Sequence, residues 1–141
     1  MKVFVVDDEE VSLFITKRLV VFGGLAAEKD VHTFLSAADA LSTLTGCSDE
    51  ALPGLVLLDL SMPVMDGWHF LDVLATLRPA IREKCRIYIL TSSLASSDQH
   101  RAAHNSMLSG LIHKPISLES ISMLIAAGGA GVDAVEREDL V

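Results

Sequence analysis

Short, mainly apolar runs alternate along the chain with longer segments in which apolar residues recur at helical spacing. The runs lie at residues 3–6, 31–34, 55–58, 87–90 and 110–113. A run without polar alternation, such as residues 55–58, suits a strand whose sheet is covered by helices on both faces. The alternation of runs and helical segments therefore predicts an α/β fold with a doubly wound parallel sheet.

The first helical segment follows Asp8 and closes at Gly23 and Gly24. Its apolar residues recur at the spacing of one helix face. They are Val11, Phe14, Ile15, Leu19 and Phe22. We expect this first helix to pack on the sheet through that face.

Capping residues and a proline set the limits of three later helices. Ser36, with Asp39 three residues on, predicts the start of a second helix. A third helix begins at Gly67 and is stopped by Pro79. Ser117 is expected to cap the last helix.

The fourth helix has a thin apolar face. Ser96 or Ser97 is predicted to cap it, and it should run to about residue 108. Its apolar positions are Ala102, Ala103, Met107 and Leu108. Because so little apolar surface can be buried, we expect this helix to be weakly anchored and easily displaced.

Two of the apolar runs end in acidic residues. Asp59 follows the run at 55–58, and Asp7 and Asp8 follow the run at 3–6. Ligands of doubly wound sheets bind outside the carboxyl ends of the strands, so these acids are expected to meet at one edge. A carboxylate in such a place can be a phosphate acceptor, a metal ligand or only the cap of the following turn.

Three adjacent carboxylates need a cation. At about 4 Å and an effective dielectric constant of about 20, each unscreened pair of charges costs about 4 kcal/mol. Oxygen-only ligands favour magnesium, manganese or calcium over zinc. The sequence therefore predicts a divalent cation beside Asp59.

Composition narrows the class of protein. The 141 residues are enough for one domain with a sizeable core, and a net charge of −8 disfavours direct binding to nucleic acid. A protein partner is the better expectation. Cys47 and Cys85 are not in a Cys-x-x-Cys spacing, so we expect reduced thiols. No apolar run approaches the length of a membrane span and no signal segment opens the chain, so a cytoplasmic protein without membrane insertion is expected.

The acids belong to a longer set of residues in a definite order. The set is Asp7-Asp8, Asp59, Met62-Pro63, Asp66-Gly67, Thr91 and Lys114-Pro115. It resembles the signature of the receiver domain of bacterial two-component response regulators, the CheY-like family, over residues 2–127. The resemblance implies a flavodoxin-like sheet of five parallel strands, order 2-1-3-4-5, flanked by five helices, with a cis Lys-Pro bond. We expect a stand-alone receiver domain at residues 1–127 and a short, acidic, mobile tail at residues 128–141.

The same resemblance implies a phosphorelay function for Asp59. A phosphohistidine of a sensor histidine kinase or of a histidine phosphotransfer protein would donate a phosphoryl group to Asp59, and the aspartyl phosphate would signal through protein contacts. Such a domain is a phosphoacceptor that promotes its own phosphorylation and dephosphorylation, and not an enzyme with a separate substrate. Thr91 and Lys114 would each meet a phosphoryl oxygen.

Magnesium is the cofactor that the resemblance implies. Asp8 would ligate the ion directly, Asp7 mainly through water, and Asp59 and the backbone carbonyl of Ser61 would complete the protein ligands. Two other functions compete with this interpretation. A phosphohydrolase with an aspartate nucleophile usually has a second acid two residues later, where this chain has Ser61. A receiver-like scaffold that is never phosphorylated usually lacks at least one residue of the signature, whereas this chain has them all.

One position departs from the family. Many receiver domains have Tyr or Phe three residues before the lysine, and here that residue is Leu111. Leucine has no aromatic face and no hydroxyl group. We therefore expect phosphorylation to be reported mainly by displacement of the loop after Thr91 and of the fourth helix.

Overall fold

The computed structural model describes residues 1–92 and 95–128, so residues 129–141 of the predicted tail lie outside the described residues. The strands are β1 Val3–Val6, β2 Val31–Phe34, β3 Leu55–Asp59, β4 Arg86–Thr91 and β5 Gly110–His113. They form one parallel sheet in the order β2-β1-β3-β4-β5. The predicted fold class and strand order are both confirmed.

In the described part of the chain, five α-helices flank this sheet. They are α1 Glu10–Phe22, α2 Ala37–Gly46, α3 Gly67–Leu77, α4 Ser96–Ala103 and α5 Leu118–Gly128. Ser36 caps α2, since its Oγ accepts a hydrogen bond from the Asp39 amide at 3.3 Å. Ser117 caps α5 in the same way through the Ser120 amide at 3.2 Å. Among residues 1–92 and 95–128, no helix is both long and apolar enough to cross a membrane.

The core lies on both faces of the sheet, and β1 and β3 are buried throughout. On one face, residues of α2 and α3 such as Leu44 and Phe70 pack against the strands. On the other face, α1 and α5 contribute Leu13 and Ile121. The predicted two-sided covering explains why the central strands carry no alternating polar residues.

The prediction for α1 named the wrong face for four of its five residues, since only Leu19 of the five is partly buried against the core. Side chains predicted to pack on the sheet are exposed to solvent: Val11 by 70%, Phe14 by 64%, Ile15 by 49% and Phe22 by 80%. The buried residues of α1 are instead Leu13, Thr16 and Val20. The helix has two apolar stripes, and the stripe with the larger side chains is the one that faces solvent.

The fourth helix is shorter than predicted. It ends at Ala103, and its N-cap is Ala95, so neither Ser96 nor Ser97 is the capping residue. Beyond it, the Asn105 side chain accepts a hydrogen bond from the Met107 amide at 2.9 Å, which makes a turn in place of further helix. All 8 residues of α4 are at least partly exposed, which agrees with the predicted thin apolar face.

Candidate functional site

Three carboxylates meet at the carboxyl ends of β1 and β3. One oxygen each of Asp7, Asp8 and Asp59 lie within 4.8 Å of one another. Asp7 is 1% exposed and Asp59 is 5% exposed, whereas Asp8 faces solvent. The convergence predicted from the strand ends is therefore present, and Asp8 gives this cluster an open side.

Neighbouring backbone groups fix Asp7 in place. Its amide donates to the carbonyl of Phe34 at 3.0 Å, which extends the pairing of β1 with β2 by one residue. Its Oδ1 accepts a hydrogen bond from the Glu9 amide at 3.0 Å. Since Oδ1 is engaged in this turn, Oδ2 is the oxygen of Asp7 that is directed at Lys114.

Lys114 supplies the positive charge of the site. Its Nζ lies 2.9 Å from Asp59 Oδ1 and 3.0 Å from Asp7 Oδ2. Its amide donates to the Thr91 carbonyl at 2.7 Å, and the Lys114-Pro115 bond is cis, as the family resemblance implied. The structure adds Ser12, whose Oγ accepts from Lys114 Nζ at 3.4 Å. No local pattern in the sequence pointed to Ser12, because the contact joins residues on opposite ends of the chain.

Burial and charge act in opposite directions on Asp59. Desolvation raises the pKa of its carboxyl group, the hydrogen bond from Lys114 lowers it, and the charges of Asp7 and Asp8 raise it, with a net rise above the ordinary value. Burial alone would lower the pKa of Lys114, but its hydrogen bonds to Asp59 and Asp7 and the charges of these acids raise it above the ordinary value. Lys114 is therefore firmly cationic, and Asp59 gains from any additional positive charge.

Thr91 ends the strand beside β3, and Ser61 lies two residues after Asp59 in the following loop. Thr91 is the last residue of β4 and is 2% exposed, and the neighbouring Leu90 pairs with Asp59. Ser61 is exposed in the loop between β3 and α3. The predicted site residues thus share one end of the sheet, and the roles of Thr91 and of the Ser61 carbonyl stay predictions.

The loop after Asp59 is held close to β3 by a glycine. A Cβ on Gly67 would lie 3.1 Å from Leu60 Cα and 3.2 Å from the Asp59 carbonyl oxygen, so a side chain there would push the loop away. The preceding Asp66 caps α3 by accepting a hydrogen bond from the His69 amide at 2.9 Å. The Asp-Gly pair of the sequence signature therefore sets where α3 begins.

A family model described as the response regulator receiver domain matches residues 3–126. The fold and the acidic site agree with this match, and the chain belongs to the response regulator receiver family. It is thus a CheY-like receiver domain of two-component signalling. No match was found among curated proteins.

Solved structures of receiver proteins share the fold. A response regulator receiver protein from Dyadobacter fermentans is 29% identical, with a TM-score of 0.79 over 90% of this chain and 96% of that chain. A two-component response regulator from Cytophaga hutchinsonii is 20% identical, with a TM-score of 0.80 over 89% and 94% of the two chains. The chemotaxis protein CheY4 of Vibrio cholerae is 20% identical, with a TM-score of 0.71 over 90% and 97%.

Proposed function

We propose that Asp59 is the phosphoacceptor of a phosphorelay and that residues 1–127 act as one receiver unit. A phosphohistidine on a sensor histidine kinase or a histidine phosphotransfer protein is the proposed donor, and protein contacts carry the signal onward. The observation that supports this most directly is the buried Asp59 carboxylate 2.9 Å from Lys114 Nζ, within a cluster of acids open on one side. A carboxylate held in this way is positioned both for attack and for charge neutralisation.

The transfer needs no general base on the protein. An Asp59 oxygen forms a bond to phosphorus, the bond from phosphorus to the donor imidazole breaks, and the imidazole leaves with the electron pair. Lys114 Nζ, now 2.9 Å from Asp59 Oδ1, would move to a phosphoryl oxygen, and the Thr91 hydroxyl would donate to another. Asp59 thus accepts the group covalently, which is the role of a phosphoacceptor and not of an enzyme with a separate substrate.

The cluster fits a hard divalent cation. Its carboxylate oxygens lie within 4.8 Å of one another, and oxygen donors are those that Mg²⁺ prefers. We propose that Asp8 and Asp59 hold Mg²⁺ directly, Asp7 through water, and the Ser61 carbonyl as the remaining protein ligand. When bound, the ion supplies positive charge that offsets the charges of the carboxylates and of the phosphoryl group.

Incubation with acetyl phosphate and Mg²⁺, followed by intact mass, tests this proposal. The wild type should gain one phosphoryl group, Asp8→Ala should gain much less, and Asp59→Asn should gain none. Thr91→Ala should still be phosphorylated, because its hydroxyl is proposed to bind the product and not to form the bond. A phosphorylated Asp59→Asn protein would refute the assignment, and rapid phosphate release with no adduct at any time would indicate a phosphohydrolase instead.

A further inference from the structure

The fourth helix, α4, has a thin apolar face but contacts α3 through two charged side chains. All 8 residues of α4 are at least partly exposed. Trp68, in the first turn of α3, is only 5% exposed although it follows directly after the loop of the site. The indole therefore has to be covered, and residues of α4 contribute to that cover.

Two charged side chains of α4 contact this indole in different ways. The Nε1–H of Trp68 donates a hydrogen bond to Asp98 Oδ1 at 3.3 Å. The Arg101 guanidinium carbon lies 4.6 Å from the centroid of the Trp68 ring, within the range of a cation–π contact. Asp98 and Arg101 are three residues apart and so lie on one face of α4. One indole thus binds that face through both its edge and its ring.

Displacement of α4 would break both contacts together. A buried indole N–H needs an acceptor, and Asp98 Oδ1 is the acceptor on α4. Arg101 would at the same time lose the ring face that it covers. The two contacts therefore favour the position in which α4 lies against α3.

The link to the site is short. Thr91 ends β4, and α4 begins at Ser96. The first turn of α4 carries Asp98 and begins five residues after Thr91, so a movement of the Thr91 hydroxyl toward a phosphoryl group on Asp59 would displace that turn. The contacts of Trp68 with Asp98 and Arg101 would oppose such a displacement of α4.

We propose that Trp68, Asp98 and Arg101 form a latch that holds α4 in the unphosphorylated position and lowers the apparent affinity of the site for a phosphoryl group. The proposal rests on the phosphoacceptor function of Asp59. A contact present only in the unphosphorylated state shifts the equilibrium toward that state, so removing it must favour the phosphorylated state by the same factor. Trp68 would act here as a positioning residue.

Beryllofluoride, an analogue of an acyl phosphate, provides the test. Its affinity for each full-length protein is measured in saturating Mg²⁺ by fluorine NMR, which does not depend on the indole. Asp98→Ala should bind the analogue about 2- to 10-fold more tightly, the factor equivalent to one net hydrogen bond. Asp98→Asn keeps an acceptor oxygen and should resemble wild type, whereas Arg101→Met and Trp68→Phe should both bind more tightly.

A second readout is the emission of Trp68, the only tryptophan of the sequence. It should change when wild type binds the analogue, and the change should be smaller in Asp98→Ala. Asp72→Ala removes an exposed acid of α3 that the latch does not use and should behave as wild type.

The outcomes separate the two proposals. Equal or weaker binding of the analogue by Asp98→Ala, with normal binding by wild type, would overturn the latch alone. Failure of wild type to bind the analogue would overturn the phosphoacceptor proposal, and the latch with it. Asp59→Asn is the negative control, since it lacks the carboxylate to which the analogue binds.

Discussion

Asp59 is buried next to two other acids, and these surroundings disfavour the charged form of its carboxyl group. Burial and the two neighbouring acids outweigh the hydrogen bond from Lys114, so the pKa of Asp59 lies above its ordinary value of 3.8. The folded chain therefore binds this proton more tightly than the unfolded chain does. The free energy of unfolding therefore falls as the pH rises from the pKa of Asp59 in the unfolded chain through its pKa in the folded chain. It remains lower at neutral pH.

Asp59→Asn should therefore unfold at a higher temperature than wild type at neutral pH when no divalent cation is present. The difference in unfolding temperature should shrink below a pH of about 4, because the Asp59 carboxyl group of the wild type is then protonated and uncharged, like the amide of the variant. Thermal unfolding at several pH values measures this. Asp72→Asn, an exposed acid of α3, serves as the control, and a stabilisation of Asp59→Asn that does not depend on pH would contradict the electrostatic explanation.

Val64 shows strain of another kind at the residue scale. Its φ is 71°, in the left-handed region that β-branched residues avoid, and its side chain is fully exposed. Val64→Asn should raise the free energy of unfolding by about 1 kcal/mol, since Asn tolerates this conformation. Val64→Thr replaces one of the two exposed methyl groups by a hydroxyl but keeps the branched Cβ, so it should give no gain in urea denaturation. Equal gains in both variants would show that exposure of an apolar side chain, and not strain, is responsible.

Among the elements, strands were predicted more accurately than helix faces. The run at residues 55–58 could be predicted from its composition alone. A strand that is covered on both faces buries all its side chains, so no choice of buried face has to be made. A helix on the surface of a sheet buries only one face, so the buried face has to be chosen. The helix α1 carries apolar residues on two stripes, and periodicity alone favoured Phe14 and Phe22 over Leu13 and Val20. Which stripe packs on the sheet depends on the geometry of the connection between β1 and α1. The spacing of apolar residues within α1 does not reveal that geometry.

Adjacent substitutions in α1 test this assignment. Leu13→Ala removes a buried side chain and should cost about 2–5 kcal/mol of stability. Phe14→Ser removes a larger but exposed side chain and should change stability by no more than about 0.5 kcal/mol. Urea denaturation of both variants gives the comparison. The reverse order of effects would mean that the predicted face, and not the observed one, packs on the sheet.

The residues of the site were predictable to different degrees. Asp7, Asp8 and Asp59 follow strands directly, so the topology of a parallel sheet was enough to bring them together. Lys114 was identified only by its place in an ordered family signature. Trp68 gave no signal, since its partners on α4 lie 30 residues or more along the chain and an isolated tryptophan is usually a packing residue.

For the whole molecule, binding of Mg²⁺ should be linked to stability. The net charge is −8, and the carboxylates of Asp7, Asp8 and Asp59 lie close enough together for one cation to relieve their mutual repulsion. At about 100 times its dissociation constant, Mg²⁺ should raise the free energy of unfolding by about 2.7 kcal/mol. Asp8→Asn should lose most of this gain in thermal unfolding at matched ionic strength. An undiminished gain in Asp8→Asn would indicate general screening of the surface charge.

The ion pair of Lys114 with Asp7 joins groups 107 residues apart in the sequence. Synthesis proceeds from the amino terminus, so a growing chain contains all three acids well before it contains their cation. Contacts of such high contact order are also the slowest to form, since their loop-closure entropy is the largest. Lys114 directly follows β5, so under the proposed function the acceptor site is complete only once β5 has paired with β4, and a nascent or partly folded chain would not yet present it to a phosphodonor.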